Sequence, residues 1–237
     1  MIWKSYKVGL RTVWTAFNPT KTKLLFISNS EHGSDINLRF NNSRLELSTV
    51  HMDLGVTLSN DTKWANPIDG IYKSSSNKVA VLKKLKYVLN TKTILHIYRC
   101  FILPILEYAS EVWDGCSKAV ENRLESIQLD VARLPCGLPI FCNKTYLYKE
   151  TCLEPLVERR KCRKMFIFYK IQNGMTSEYV SGLIPNLVRD ENAYPFRKRN
   201  NVIQRLSTTE RVFIPSTIAL WNNLPDEIRE SDTMLSF

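Results

Sequence analysis

Apolar residues recur along this chain with two different periods, and the change between them falls near Trp64. Before it, short runs of strand-type composition stand between polar turns: LLFIS (Leu24 to Ser28), INLRF (Ile36 to Phe40), RLELS (Arg44 to Ser48) and LGVTLS (Leu54 to Ser59). Asn41-Asn42-Ser43 is turn chemistry suited to a hairpin between the second and third runs. So few short strands do not make a stable sheet alone, so this segment is expected to pack on something else.

After Trp64 the helical period takes over. Val79, Leu82, Leu85 and Leu89 form one stripe and Ile94, Ile97, Phe101 and Ile105 a second, with Pro104 expected to kink or end the second helix. A third helix fits Lys118 to Cys136, with Val120, Leu124, Ile127 and Val131 on one face and Gly137 as its stop. Past a turn at Pro139, Asn143 can cap a short helix over Lys144 to Cys152. Pro155 can take the first position of another that runs to Gly174. Val188 to Asn201 is polar, charged and aperiodic, which suits a linker. The tail then reads as a strand-like RVFI, a helix begun by Pro215, a Leu-Pro break and an acidic-first helix from Asp226. The expected class is therefore mainly α with a small N-terminal β segment (α+β), organised as residues 1–63, 64–187 and 188–237.

Length and composition agree with that outline: 237 residues, 44% of them hydrophobic, can bury a real core. The 33 Lys and Arg against 23 Asp and Glu leave a net charge of +10, which favours polyanionic partners, nucleic acid ahead of an anionic membrane surface. Met1 to Leu10 lacks the apolar core of a secretory signal, and runs such as CFILPIL (Cys100 to Leu106) fall far short of the ~20 residues that span a bilayer. An intracellular protein, cytoplasmic or nuclear, with no membrane partner is expected.

Candidate chemistry is sparse. The chain has no adjacent Asp pair, no Gly-rich phosphate loop, no HExxH and no nucleophile elbow. Its six cysteines (Cys100, Cys116, Cys136, Cys142, Cys152 and Cys162) are widely spaced and all follow the three histidines, so no knuckle-like metal site can be written. They read as reduced thiols packed on helices. His96, between Leu95 and Ile97, reads as a boundary residue of a helix. An enzyme built on a cysteine or lysine nucleophile would need an activating partner, and none is visible.

The basic residues say more, because they are segregated. Between Gly70 and Leu106 lie Lys73, Lys78, Lys83, Lys84, Lys86, Lys92 and Arg99 with no acidic residue among them. A second cluster, ERRKCRK, brings Arg159, Arg160, Lys161, Arg163 and Lys164 together, and a third, FRKRNN, lies in the linker. Either these are solvated helix faces or they meet a phosphate backbone. Phe166, Phe168 and Tyr169 could stack bases, but their helical spacing favours core packing.

At larger scale an ordered series of segments carries a resemblance. AFNPTKTKLLFIS (Ala16 to Ser28), DLGVTLSNDTKW (Asp53 to Trp64) and IYRCFILPILEYASEVWDG (Ile97 to Gly115) are followed by RLESIQLDVARLPCGL, LEPLVERR, YKIQNG and FIPSTIALWNNLPDEIR. In order and interval the series resembles the downstream part of the reverse transcriptases of jockey-like non-LTR retrotransposons, from about Phe17 onward.

That resemblance implies an edge of the palm, a thumb and a C-terminal region. Lys21 would be the lysine that approaches the phosphates of the incoming nucleotide, and Leu54, Gly55 and Val56 a primer-grip hairpin near the nucleic-acid backbone. The helices after Trp64 would grip an RNA or DNA template-primer duplex. Pro67 departs from the family, where a histidine is usual. The family's polymerase also needs magnesium held by paired palm aspartates, which lie upstream of the NPxKT segment, and no acidic residue here precedes Glu31. The expectation is a truncated polymerase with no activity of its own, no cofactor, no small-molecule substrate and residual nucleic-acid binding. A helical interaction module with merely solvated basic faces is the alternative.

Overall fold

The computed structural model describes residues 18, 21–26, 38–40, 43–60, 65–137, 142–185, 203 and 213–231. It is mainly helical with a few short strands, and it divides into two units, Met1–Pro67 and Ile68–Phe237.

Among its described residues the first unit holds six short strands in three ladders. Strand β1 (Lys23–Leu25) runs parallel to β4 (Glu46–Ser48), and β2 (Arg39–Phe40) pairs antiparallel with β3 (Ser43–Arg44). Phe40 pairs with Ser43, so Ser43, expected in the turn, belongs to the strand. The third ladder joins β5 (Val50–Asp53) to β6 (Val56–Ser59) in an antiparallel hairpin. Its two bend residues, Leu54 and Gly55, both have positive φ, 46° and 80°, which matches the right-handed twist of the flanking strands. The strand expected over Leu54 to Ser59 is corrected here: Leu54 and Gly55 are the turn, and the strand begins at Val56. The hairpin exposes apolar side chains, Val50 and Met52 among them.

In the second unit ten helices are described. The long ones are α1 (Ala65–Leu85), α5 (Lys118–Cys136) and α7 (Leu156–Gln172); between them lie α2 (Thr91–Ile97), α3 (Leu103–Glu107), α4 (Ser110–Trp113) and α6 (Lys144–Thr151). After them come α8 (Glu178–Ser181), α9 (Phe213–Asn222) and α10 (Asp226–Arg229). Local signals set several ends. Asn90 accepts from Thr93 N and Asn143 from Thr145 N, each capping the helix that follows. Gly137 closes α5 at φ 61°, its N–H donating to Arg133 O.

Two expectations are revised. The second stripe, Ile94, Ile97, Phe101 and Ile105, is offset from the buried one, which runs Ile94, Tyr98, Ile102 and Leu106. A π-helical turn over Tyr98–Ile102 is the cause: the ring of Pro104 collides with an α-helical Cys100 carbonyl, and one extra residue in the turn relieves it. Leu103 N then donates to Tyr98 O, five residues back. A residue spacing of four suits this wider turn, and Phe101 is left exposed. In the tail, Phe213 and Ile214 open α9 rather than a strand, with Pro215 inside the first turn, where its missing N–H is not needed. The linker expected over Val188 to Asn201 lies outside the described residues.

The core of this unit draws Leu124, Ile127 and Val131 from α5, Val79 and Leu82 from α1, and Phe168 and Tyr169 from α7. Phe168 packs on Trp221 of α9 with ring centroids 5.2 Å apart, which docks the tail onto α7. Asn222 completes that corner, bonding Ile203 N and Ile203 O through its amide as a strand would.

Candidate nucleic-acid interface

Helix α1 turns Ile68, Ser75, Val79 and Leu82 inward, so Lys73, Lys78 and Lys84 fall on exposed positions. Lys73 and Lys84 are eleven residues apart, about 16 Å along the axis at 1.5 Å per residue. Beyond the helix end, Lys86 stands with its Nζ 4.7 Å from the ring centroid of Tyr87, and Tyr87 is 86% exposed. Val88 beside it is exposed as well. None of Lys73, Lys78, Lys84 and Lys86 has a carboxylate partner among the described residues. This end of α1 is therefore a cationic surface with an accessible aromatic ring set into it.

The two flanking cations are partly neutralised. Lys83 Nζ donates to Asp130 Oδ2 at 2.6 Å, tying α1 to α5. Arg99 bonds the carbonyls of Thr151 and Cys152, both at 3.2 Å, where it complements the negative end of α6. Lys92 is exposed in the first turn of α2. A groove of about 230 Å³ runs between α1 and α5, lined by Tyr72, Ser76, Lys83, Ser126 and Asp130 among others. At its side Arg123 stacks over the Tyr72 ring at 4.0 Å and pairs with Asp69. Arg123 was not singled out by the sequence reading, because the acid-free count stops at Leu106 and this arginine comes from the facing helix.

The ERRKCRK cluster is a different object, and for Arg160 and Lys164, which are buried, the expectation of cations offered to phosphates is corrected. Arg160 and Lys164 are buried and converge on Asp114 of the α4 end, Arg160 Nε at 2.8 Å. Lys164 also donates to Ser216 Oγ of α9 at 3.0 Å, and the Arg160 guanidinium lies 5.4 Å from the Trp113 ring centroid. Arg159 pairs with Glu107 and, at 3.8 Å, with Glu154. Arg163 donates to Glu107 O at 2.6 Å and lies 3.8 Å from Glu111. Lys161 pairs with Glu158 one turn earlier at 2.8 Å. Five cations thus meet five carboxylates, four of them from outside α7, and the helix face they build is a charge-neutral seam. The Glu107 carboxylate, hydrogen-bonded to Arg159, raises the pKa of that guanidinium further.

Beside the seam, Glu125 is the hub of a buried polar network. It accepts from Tyr148 Oη and from Gln128 Nε2, and Gln128 Oε1 accepts from Tyr98 Oη at 2.6 Å. Burial first, and the facing Glu125 second, drive the hydroxyls of Tyr98 and Tyr148 well above the ordinary tyrosine range, so both stay neutral donors.

In the first unit, the Lys21 side chain is exposed. Its backbone N–H donates to Asn18 O at 3.2 Å, two residues before β1. Leu54 and Gly55 form the exposed hairpin tip, and Val56 starts the return strand half-buried. The FRKRNN cluster lies outside the described residues.

Phe168 and Tyr169 are core residues, as their spacing predicts, while Phe166 is exposed. Among the described residues no helix is long and apolar enough to cross a membrane, and no three Cys, His, Asp or Glu side chains converge as metal donors. No protein-family model, no curated protein and no solved structure matches the chain.

Proposed function

We propose that this chain is the palm-edge and thumb region of a non-LTR retrotransposon reverse transcriptase of the jockey-like kind, and that it binds template-primer duplex without carrying the polymerase chemistry. The ordered series from AFNPTKTKLLFIS to FIPSTIALWNNLPDEIR supports the family reading. The observation that carries the binding reading is the exposed surface of α1 and the turn after it: Lys73 and Lys84 in line, Lys78 further round the helix and Lys86 beyond its end, all exposed and unpaired with carboxylates among the described residues, with the exposed ring of Tyr87 beside Lys86. Cations track the phosphate backbone and an aromatic ring offers a sequence-tolerant platform for a base, the combination that single strands and duplex ends require.

At the β5–β6 bend, a leucine held at positive φ and 84% exposed supports a contact role for Leu54, since a bulky residue in that conformation is strained and gains nothing from burial. Among the described residues no three Cys, His, Asp or Glu side chains converge, so none is assigned to hold the magnesium ions of the intact polymerase. No step of nucleotidyl transfer is assigned to these residues.

The neutral seam on α7 favours a second reading, a helical interaction module, because it buries two cations and pairs the other three with carboxylates. Titration of the full chain with an RNA–DNA hybrid separates the two. The first reading expects binding at low salt that weakens by about 10²-fold between 50 and 200 mM salt, as about four phosphate contacts require. Absence of binding at low salt favours the module.

A further inference from the structure

One edge of β5 is complementary to itself. The two-residue bend makes Asp53 and Val56 the first hydrogen-bonded pair of the hairpin, so Thr49, His51 and Asp53 turn their backbone N–H and C=O groups toward β6. The bond from Asn60 N to Thr49 O at 3.0 Å continues that alternation. Val50 and Met52 turn their backbone groups to the other edge. There Val50 O accepts from Ser48 Oγ, and nothing bonds Met52 N or O among the described residues. All four β5 side chains are exposed, Met52 to 68%, and the strand carries neither the lysine nor the proline that commonly blunts an edge.

We propose that β5 pairs antiparallel with β5 of a second copy of this chain, about a two-fold axis at Met52. The two Met52 residues then exchange both backbone hydrogen bonds. His51 falls opposite Asp53 of the other copy, twice, at non-hydrogen-bonded positions where facing Cα atoms stand about 4.5 Å apart and side chains lie closest. An imidazole N–H donates to a carboxylate there, so both new cross-strand pairs are complementary. Charge also selects the register: moving it by two residues sets His51 against His51 or Asp53 against Asp53. Val50 and Met52 share one face of the strand, and their exposed apolar side chains gather beside those of the other copy. A two-stranded ribbon thereby becomes a sheet of four strands, the size at which a hairpin gains stability. So short a ladder covers much less than a standard interface, so the dimer is weak and forms at high protein concentration. The proposal uses no residue of α1 and is independent of the nucleic-acid reading.

Sedimentation equilibrium of the full chain, free of nucleic acid and under reducing conditions, tests the edge over a concentration series. The wild type is expected to pass from monomer to dimer. His51→Asp sets carboxylate against carboxylate in both cross-strand pairs and should weaken dimerisation about tenfold or more. Exchanging the two residues, His51→Asp with Asp53→His, restores both pairs and should restore the dimer. A second readout is positional. Facing Met52 Cα atoms about 5.5 Å apart lie within disulfide range, so Met52→Cys should cross-link to its own copy on mild oxidation, with peptide mass spectrometry identifying a bond between the two introduced thiols. Thr57→Cys on β6, three strand spacings or about 14 Å from its counterpart, should not. Far-ultraviolet circular dichroism verifies that the variants keep the fold. A chain that stays monomeric, a dimer unmoved by His51→Asp, or one that the exchange fails to restore overturns the proposal.

Discussion

Glu125 reaches from the middle of α5 to the start of α7, where its Oε2 accepts from Leu156 N at 3.0 Å. The N–H groups of a helix's first turn have no partner within the helix, and Pro155 offers no side-chain acceptor at the N-cap. A buried carboxylate 31 residues earlier does that work and fixes where α7 begins relative to α5. Glu125→Ala would leave Leu156 N and Tyr148 Oη short of an acceptor in the interior, while Gln128 Nε2 keeps its bond to Glu154 O. A loss of about 2–4 kcal/mol is expected by denaturant unfolding, with Glu125→Gln losing less because it keeps an acceptor oxygen.

Asp114 stands between two buried cations, Arg160 and Lys164, and holds α7 to α4. Asp114→Ala leaves both charges buried without a counter-ion, so about 3–5 kcal/mol of stability should be lost. Lys161→Gln, at the exposed end of the same cluster, should cost under about 1 kcal/mol. Equal effects in thermal or urea unfolding would contradict the distinction between a buried node and a surface pair.

Burial pushes the Cys116 thiol from an ordinary value near 9 up to about 11. The folded chain then keeps a proton between pH 9 and pH 11 that the unfolded chain releases, so this group's contribution makes stability fall as pH rises through that window. The same burial slows alkylation. At pH 8 iodoacetamide should label Cys152, which is exposed, well before Cys116, as read by peptide mass spectrometry. Faster labelling of Cys116 would contradict its placement.

Much of this architecture is legible in local chemistry. The caps at Asn143 and Gly137 and the buried face of α5 each follow from residues within a turn of one another. What the sequence does not reveal depends on distant partners. The π turn answers a clash between Pro104 and Cys100 and shifts the buried stripe by one residue. ERRKCRK looks like a cationic face because its neutralising partners Glu107, Glu111 and Asp114 lie about fifty residues upstream. Arg123 joins the α1 side only once two helices pack. Charge counted along the chain therefore finds the surface of α1 and misreads that of α7.

Salt dependence of hybrid-duplex binding by the wild-type chain and by a Lys73→Gln, Lys78→Gln, Lys84→Gln, Lys86→Gln variant tests the central claim most directly. Each phosphate contact contributes roughly 0.9 to the slope of log K against log salt on B-form duplex. All four side chains are exposed, so the variant should unfold like the wild type. The slope is predicted to flatten by about 3.6, four contacts at about 0.9 each, while Arg159→Gln and Lys161→Gln leave it unchanged. A slope that survives in the quadruple variant, or one that flattens equally on α7, would contradict the assignment of the nucleic-acid surface to α1.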